Sequence, residues 1–282
     1  MSSDFDQIIG HKKQLSYLKK VIENGNASHA YCFSGPNSIG KYTIARHFIA
    51  QILKVDESKL ATHPNVSIID EEKISVDMVH DLRERLALST LGGGIKVAII
   101  NSAHTMSHGA QNALLKTFEE PRGNAIIILV TEKPEYLLRT ILSRSAHIKF
   151  SLVPISEIKN EMAHLCARRP GLAIKLMDED YKHDFLELTA EAEEFLKMSL
   201  AKRLTYIESV VKQKDERNDK IKELISVWRI LIHENLLESL NSDSVKIAKN
   251  HTTQLRALQE TEEALNSNSN KSLALQHFAL SF

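Results

Sequence analysis

Cysteine is nearly absent from these 282 residues. The two that occur, Cys32 and Cys166, lie far apart with no CxxC pair, which argues against a disulfide framework or a thiolate zinc site and fits a reducing compartment. Net charge is absent as well. The 36 Lys and Arg offset 36 Asp and Glu, so no global field draws the chain onto nucleic acid or an anionic membrane, and any DNA contact has to be local or shared with partners. No run of about 18 apolar residues offers a membrane span. The opening MSSDFDQIIG is polar and acidic where a secretory leader would be basic and then apolar. The expectation is a cytoplasmic globular chain with no membrane partner, long enough for two or three domains.

Three short apolar runs stand out at 30–33, 97–100 and 125–130, rich in β-branched or aromatic residues and bounded by turn formers. They predict buried parallel strands. Between them, 43–53 and 75–88 carry apolar residues at helical spacing, the alternation of an α/β sheet with crossover helices. The Gly92, Gly93, Gly94 cluster is expected to end the second helix and turn the chain into the 97–100 strand. After Pro154 the strand signal stops, and 155–178 reads as two small helices broken at Pro170-Gly171.

From about Tyr181 everything reads as helix. Ile221, Leu224, Ile225, Trp228, Leu231, Ile232 and Leu236 share one face, with Lys222, Glu223, Arg229 and Glu234 outside it. Such a stripe suits the core of a helical bundle or a surface for other subunits, and sequence alone leaves both open. The polar patch 266–270 joins this region to a last apolar helix ending at Phe282.

The sequence Gly35-Pro36-Asn37-Ser38-Ile39-Gly40-Lys41 follows a predicted strand and opens a helix. In that setting Gly35 and Gly40 let backbone amides close around phosphate, the helix N-terminus favours negative charge, and Lys41 neutralises it. The next residue should be Ser or Thr, to ligate magnesium, but it is Tyr42. Thr43 lies about 100° further round the helix and is a poor substitute. About sixty residues on, an apolar strand should end in a metal-holding acid with a second acid beside it to activate water. The strand is there, yet it ends in Asn101-Ser102, and a neutral amide binds a hard dication weakly and is no general base. Three losses, at Tyr42, Asn101 and Ser102, point to a core without its own metal-assisted hydrolysis. His104 and His108 are four apart, but two histidines make an incomplete metal site.

Further blocks accompany these: Ser28-His29-Ala30-Tyr31, Ala103-His104 with Met106, the run NALLKTFEEP from Asn112 to Pro121, and Thr140-Ile141-Leu142-Ser143-Arg144-Ser145. Together they resemble the bacterial clamp-loader subunits of the AAA+ class, within them the delta-prime branch, over about residues 5–177. The resemblance implies an α/β P-loop AAA+ core with a parallel sheet at 1–151, a small helical lid at 152–180 and an all-α collar at 181–282 that joins subunits in a ring. It implies a task too: the assembly opens a sliding clamp and places it on primed DNA, with ATP held between neighbouring subunits of gamma/tau and delta type. Delta-prime members resemble a stator that does not hydrolyse ATP itself but offers an arginine to the nucleotide next door. Arg144 stands at that position, and Ser145 replaces the usual cysteine of the motif.

Many members carry a four-cysteine zinc module after the first helix. Here the stretch 53–63 is short and cysteine-free, so no zinc is expected. Thr131 occupies the place where the family senses phosphate, and packing is the alternative role. Arg144 likewise has a plainer role open to it, as a surface arginine pairing with Glu119 or Glu120. Arg83 and Arg85 read as a solvated basic face before a DNA contact. The competing function is an active ATPase of gamma/tau type or another AAA+ motor. It has to explain away Tyr42, Asn101 and Ser102, and the chain offers no long tail after the collar. Whether nucleotide occupies the degenerate loop without turnover is left open.

Overall fold

Strands form where β-branched and aromatic residues run without polar interruption, as they do at 30–33, 97–100 and 125–130. The computed structural model describes residues 5, 8–88, 94–119, 124–158, 165–212, 217–242, 245–266 and 270–282. Gly92 and Gly93, the Glu120-Pro121 end of the NALLKTFEEP block, and parts of 155–178 and 266–270 therefore lie outside the described residues. The strands are β1 (Ala30–Ser34), β2 (Val66–Ile69), β3 (Lys96–Ile100), β4 (Ala125–Thr131) and β5 (Ala146–Lys149). All pair in parallel, in the order β2-β3-β4-β1-β5. The register sets Ser34 beside Thr131 and Ile100 beside Leu129, so the chain leaves β1, β3 and β4 at one edge of the sheet. In open parallel sheets that edge is where ligands bind.

Successive strand residues face opposite sides. Tyr31, Phe33, Val97, Ile99 and Ile128 pack with Ile44, Phe48 and Ile49 of α2 (Lys41–Leu53) and Leu18 of α1 (Lys12–Asn24). Cys32, Ala98, Ile100, Ile127 and Leu129 face the other way, onto Val79 and Leu82 of α3 (Val76–Ala87) and Leu114 and Phe118 of α4 (His108–Glu119). Burial pushes the Cys32 thiol up to about 12, so it stays a neutral packing group. Ser75 caps α3, its Oγ accepting the Met78 N–H at 3.3 Å.

Two features differ from the sequence expectation. Two further strands exist, β2 and β5, and both are sheet edges whose residues are mostly half-buried or exposed, so they lack the continuous apolar run of a central strand. Pro170 opens a helix, α6 (Pro170–Lys175), where a break was expected. The first helical residue needs no N–H partner, and its φ suits proline. At 54–62, where many family members carry a zinc module, the chain makes a 3-10 turn (Glu57–Thr62) whose Glu57 carboxylate takes Arg46 at 2.8 Å and His47 at 3.2 Å.

The chain divides into two compact units, Met1–Ile174 and Lys175–Phe282, and the division passes through the 152–180 segment. The second unit contains α7 (Glu179–Lys197), α8 (Leu200–Lys212), α9 (Arg217–Asn241), α10 (Val245–Asn266) and α11 (Lys271–Ala279). Its core takes Phe195 from α7, Ile221, Leu224, Ile225, Trp228 and Ile232 from α9, and Phe278 from α11. Most of the α9 stripe is thus buried within its own unit. Asn270 caps α11, with Oδ1 accepting from Ser272 at 3.0 Å and Leu273 at 3.3 Å. Among the described residues, no helix is long and apolar enough to cross a membrane.

Candidate functional site: a phosphate loop and an arginine

β1 delivers the chain into Gly35 and α2 carries it away from Gly40. Gly35 has φ 145, and a Cβ there would lie 2.2 Å from the Phe150 carbonyl oxygen, so glycine is required. Its N–H donates to Thr131 O at 3.2 Å, tying the loop to the end of β4. Ser38 N–H donates to Asn37 Oδ1 at 2.7 Å. Gly40 O accepts the Ile44 N–H at 2.9 Å and starts α2.

Lys41 turns back on the loop. Its ammonium donates to Gly35 O at 2.8 Å and to Pro36 O at 2.5 Å, and the residue is only 7% exposed. Burial pulls its pKa down from 10.5 to about 8, with the Glu132 carboxylate opposing the shift. Two more loop carbonyls are taken from elsewhere in the unit. His11 Nε2 donates to Ile39 O at 2.9 Å, and the Gly171 N–H of α6 donates to Ser38 O at 2.8 Å. A Cβ on Gly171 would meet that Ser38 oxygen at 2.7 Å, so this close approach needs glycine. Burial holds His11 below its ordinary 6.5, which favours the neutral ring that makes this bond at pH 7.

The magnesium-side positions are arranged as follows. Tyr42 is half-buried against the α2 core with the Arg46 guanidinium 5.8 Å from its ring, and Thr43 is exposed. Asn101 Nδ2 donates to Asp70 Oδ1 at 2.8 Å, and Ser102 is left-handed at φ 48 as the chain enters the Ala103–Thr105 turn. Thr131 is buried. Its Oγ1 lies 3.3 Å from His104 Nδ1 and accepts the Lys133 N–H at 3.1 Å, while His104 Nε2 is 3.7 Å from Glu132. His108 turns elsewhere, to Asn112 at 2.9 Å, so the two histidines do not form a pair. Sequence reasoning passed over two acids, Asp70 and Glu132. Asp70 follows the unrecognised edge strand β2, and Glu132 follows Thr131 directly; the end of each strand was the available signal.

Arg144 caps α5 (Arg139–Ser143). Gln111, buried on α4, holds the approach to that helix: its Oε1 accepts the Leu138 N–H at 2.8 Å, and its Nε2 donates to Tyr136 O at 3.0 Å and Met106 O at 3.3 Å. The Arg144 side chain is 38% exposed, with Nη1 donating to Thr140 O at 3.3 Å and Nη2 paired with Glu119 Oε1 at 3.1 Å. Ser145 Oγ, in place of the family's cysteine, donates to Ile141 O at 2.6 Å. Gly35, Gly40, Lys41 and Thr131 therefore meet at one sheet edge. Arg144 takes its partners from α4 and α5 rather than from the loop, and the pair with Glu119 is the one the plainer surface reading anticipates.

A family model described as DNA polymerase III, delta subunit, matches residues 10–154, just over half of the chain. The chain belongs to that family. The matched span holds the phosphate loop, Asn101, Thr131 and Arg144 and stops short of the helical unit. Among individual relatives, DNA polymerase III subunit delta' of Pseudomonas aeruginosa is 36% identical over 135 residues, covering 42% of this chain and 41% of that protein. DNA polymerase III subunit gamma/tau of Mycobacterium tuberculosis is 31% identical over 182 residues, 58% of this chain and 31% of that protein. Subunit tau of Bacillus subtilis is 32% identical over 173 residues, 56% and 31% respectively. The chain thus spans less than half the length of each of these relatives.

Two solved structures share the fold. A DNA polymerase III gamma subunit-related protein of Thermotoga maritima gives a TM-score of 0.51 at 22% identity, covering 95% of this chain and 97% of that one. A single-substitution variant of Thermotoga maritima RuvB gives 0.50 at 17% identity, covering 97% and 87%. At these identities the likeness is one of fold.

Proposed function

We propose that this member of the DNA polymerase III delta subunit family is a stator-like subunit of a cytoplasmic clamp loader. It joins gamma/tau- and delta-type subunits and lends Arg144 to ATP bound by a neighbour, while the assembly sets a sliding clamp on primed DNA. The observation that carries the reading is the chain's own phosphate loop. Lys41 must abandon two carbonyl bonds to meet a phosphate, and Tyr42, Asn101 and Ser102 stand at the positions where a magnesium ligand and a general base are expected. Tyr42 has no short hydroxyl, Thr43 is exposed, and the Asn101 amide is neutral and bonded to Asp70. These residues do not fit a magnesium nucleotide poised for hydrolysis, and no hydrolytic step is assigned to the loop.

Arg144 suits the opposite task. It follows the end of a short helix with its side chain 38% exposed, where it can stabilise charge developing on a phosphoryl group held by another subunit. An arginine in that role is worth roughly three to five orders of magnitude at the site it serves. In a reconstituted loader, Arg144→Ala should leave assembly intact while stimulated hydrolysis falls, and Arg144→Lys should rescue poorly because one ammonium lacks the two-pronged contact. Unchanged turnover with full incorporation would return Arg144 to an ordinary surface role.

Assembly is assigned to the helical unit through residues its core leaves outside. Leu240, Val245, Ile247, Leu273 and Leu280 are exposed there. Obligate interfaces bury roughly 2,000 Å² or more of mostly apolar surface, so a chain ending at residue 178 should stay folded but fail to co-purify with partner subunits.

A second reading, an active gamma/tau-type ATPase, draws on the longer matched stretches to gamma/tau proteins and on the retained Gly35, Gly40 and Lys41. It requires magnesium-dependent turnover by the isolated chain that disappears on Lys41→Ala.

A further inference from the structure

A long surface side chain acts in trans only if something selects its rotamer before the phosphate arrives. Arg144 sits one residue beyond the end of α5, at φ −101 and ψ 1, where helical continuation no longer restrains it. Among the described residues, two contacts hold its head. Thr140, which accepts from Nη1 at 3.3 Å, belongs to the same short helix and moves with it. Glu119, 3.1 Å from Nη2, is the last residue of α4, and α4 is buried in the sheet's core through Leu114 and Phe118. The same helix also anchors the approach to α5 through Gln111. Among the described residues, Glu119 is thus the contact that ties the guanidinium to an element outside its own helix. It uses one edge of a group with five N–H donors and leaves other donors for phosphate oxygens.

We infer that Glu119 is a positioning residue for Arg144, holding its guanidinium in one orientation at the surface so that it meets the phosphate of a nucleotide on an adjacent subunit already aligned. This rests on the reading of Arg144 given above. The strength of the contact suits the role. Glu119 is 49% exposed and Arg144 38%, and an ion pair so open biases an orientation by about two- to fivefold. It can be surrendered when a more highly charged phosphate competes for the same donors.

The test is a double-mutant cycle in the loader reconstituted from the full chain and its own partner subunits, reading clamp- and DNA-stimulated ATP turnover. Glu119→Ala is expected to lower kcat about two- to fivefold, less than Arg144→Ala does, with KM for ATP unchanged. Glu119→Gln should restore part of the loss, because an amide oxygen still accepts from the guanidinium. In the Arg144→Ala background, Glu119→Ala should change nothing further. A loss that persists in that background, or that follows a fall in melting temperature or incorporation, would make Glu119 merely structural and overturn the inference. If Arg144→Ala lowers turnover while Glu119→Ala leaves it equal or raises it, the positioning role fails and the role of Arg144 stands. If neither substitution matters, both fall.

Discussion

Apolar residues do different work in the two units. In Met1–Ile174 they alternate along strands and fill two layers, which leaves one sheet edge free for polar groups: the phosphate loop, Asn101, Thr131 and Glu132 gather there. In Lys175–Phe282 they converge from several helices on a single core around Phe195, Trp228 and Phe278. A parallel sheet sends its strand ends to a common line and so builds a site, whereas a helical unit offers a core and a surface. Chemistry is therefore to be sought in the first unit and adhesion in the second.

The largest effect should come from the helical core. Trp228 packs at a tilt against Phe195 and Phe278, with ring centroids 4.5 Å and 5.0 Å away. Trp228→Ala should lose about 3–5 kcal/mol, seen in denaturant unfolding as a weakened second unit beside an unchanged first. If both transitions fell together, the two units would not be separable in stability.

Next comes Lys41. Its folded pKa of about 8 lies below its ordinary 10.5, so between those values the unfolded chain binds more protons at this lysine and Lys41's own contribution to stability should rise with pH, against the opposite slope that the raised Cys32 thiol adds above 9. The rise is at most about 3 kcal/mol at roughly 1.4 per pH unit. It should be absent in Lys41→Met, and equal slopes for the two chains would show that the ammonium is not held in the loop. A smaller loss, about 1–3 kcal/mol from overpacking, is expected of Gly171→Ala, which drives a Cβ into Ser38 O and should weaken only the first unit in the same assay. Smallest is Asn270→Ala, which removes the α11 cap at about 1 kcal/mol and should touch only the second unit.

Much of this arrangement was legible in the residues. The runs at 30–33, 97–100 and 125–130 became β1, β3 and β4, because a strand buried on both faces leaves an unbroken apolar signature. β2 and β5 left none, since an edge strand meets the core on less of its surface. Pro170 misled because proline ends a helix in its interior but begins one at its first position. The α9 stripe announced burial, yet Phe195 and Phe278, its partners across the core, lie more than twenty residues away and no local period names them. At the site, the missing hydroxyl and acids were readable from Tyr42, Asn101 and Ser102. The closure of the loop by Lys41, His11 and Gly171 was not, because it depends on where distant segments meet.

The central claim is that this chain lends chemistry to a neighbour without performing it at its own loop. The most direct measurement compares Lys41→Ala with Arg144→Ala in the same reconstituted loader, at incorporation verified by native mass spectrometry, reading clamp- and DNA-stimulated ATP turnover. Lys41→Ala should turn over at the wild-type rate, and Arg144→Ala should lose severalfold in whole-assembly turnover, because sites completed by arginines of other subunits keep working while the one site served by Arg144 falls by the larger factor. Loss with Lys41→Ala and none with Arg144→Ala would contradict the claim.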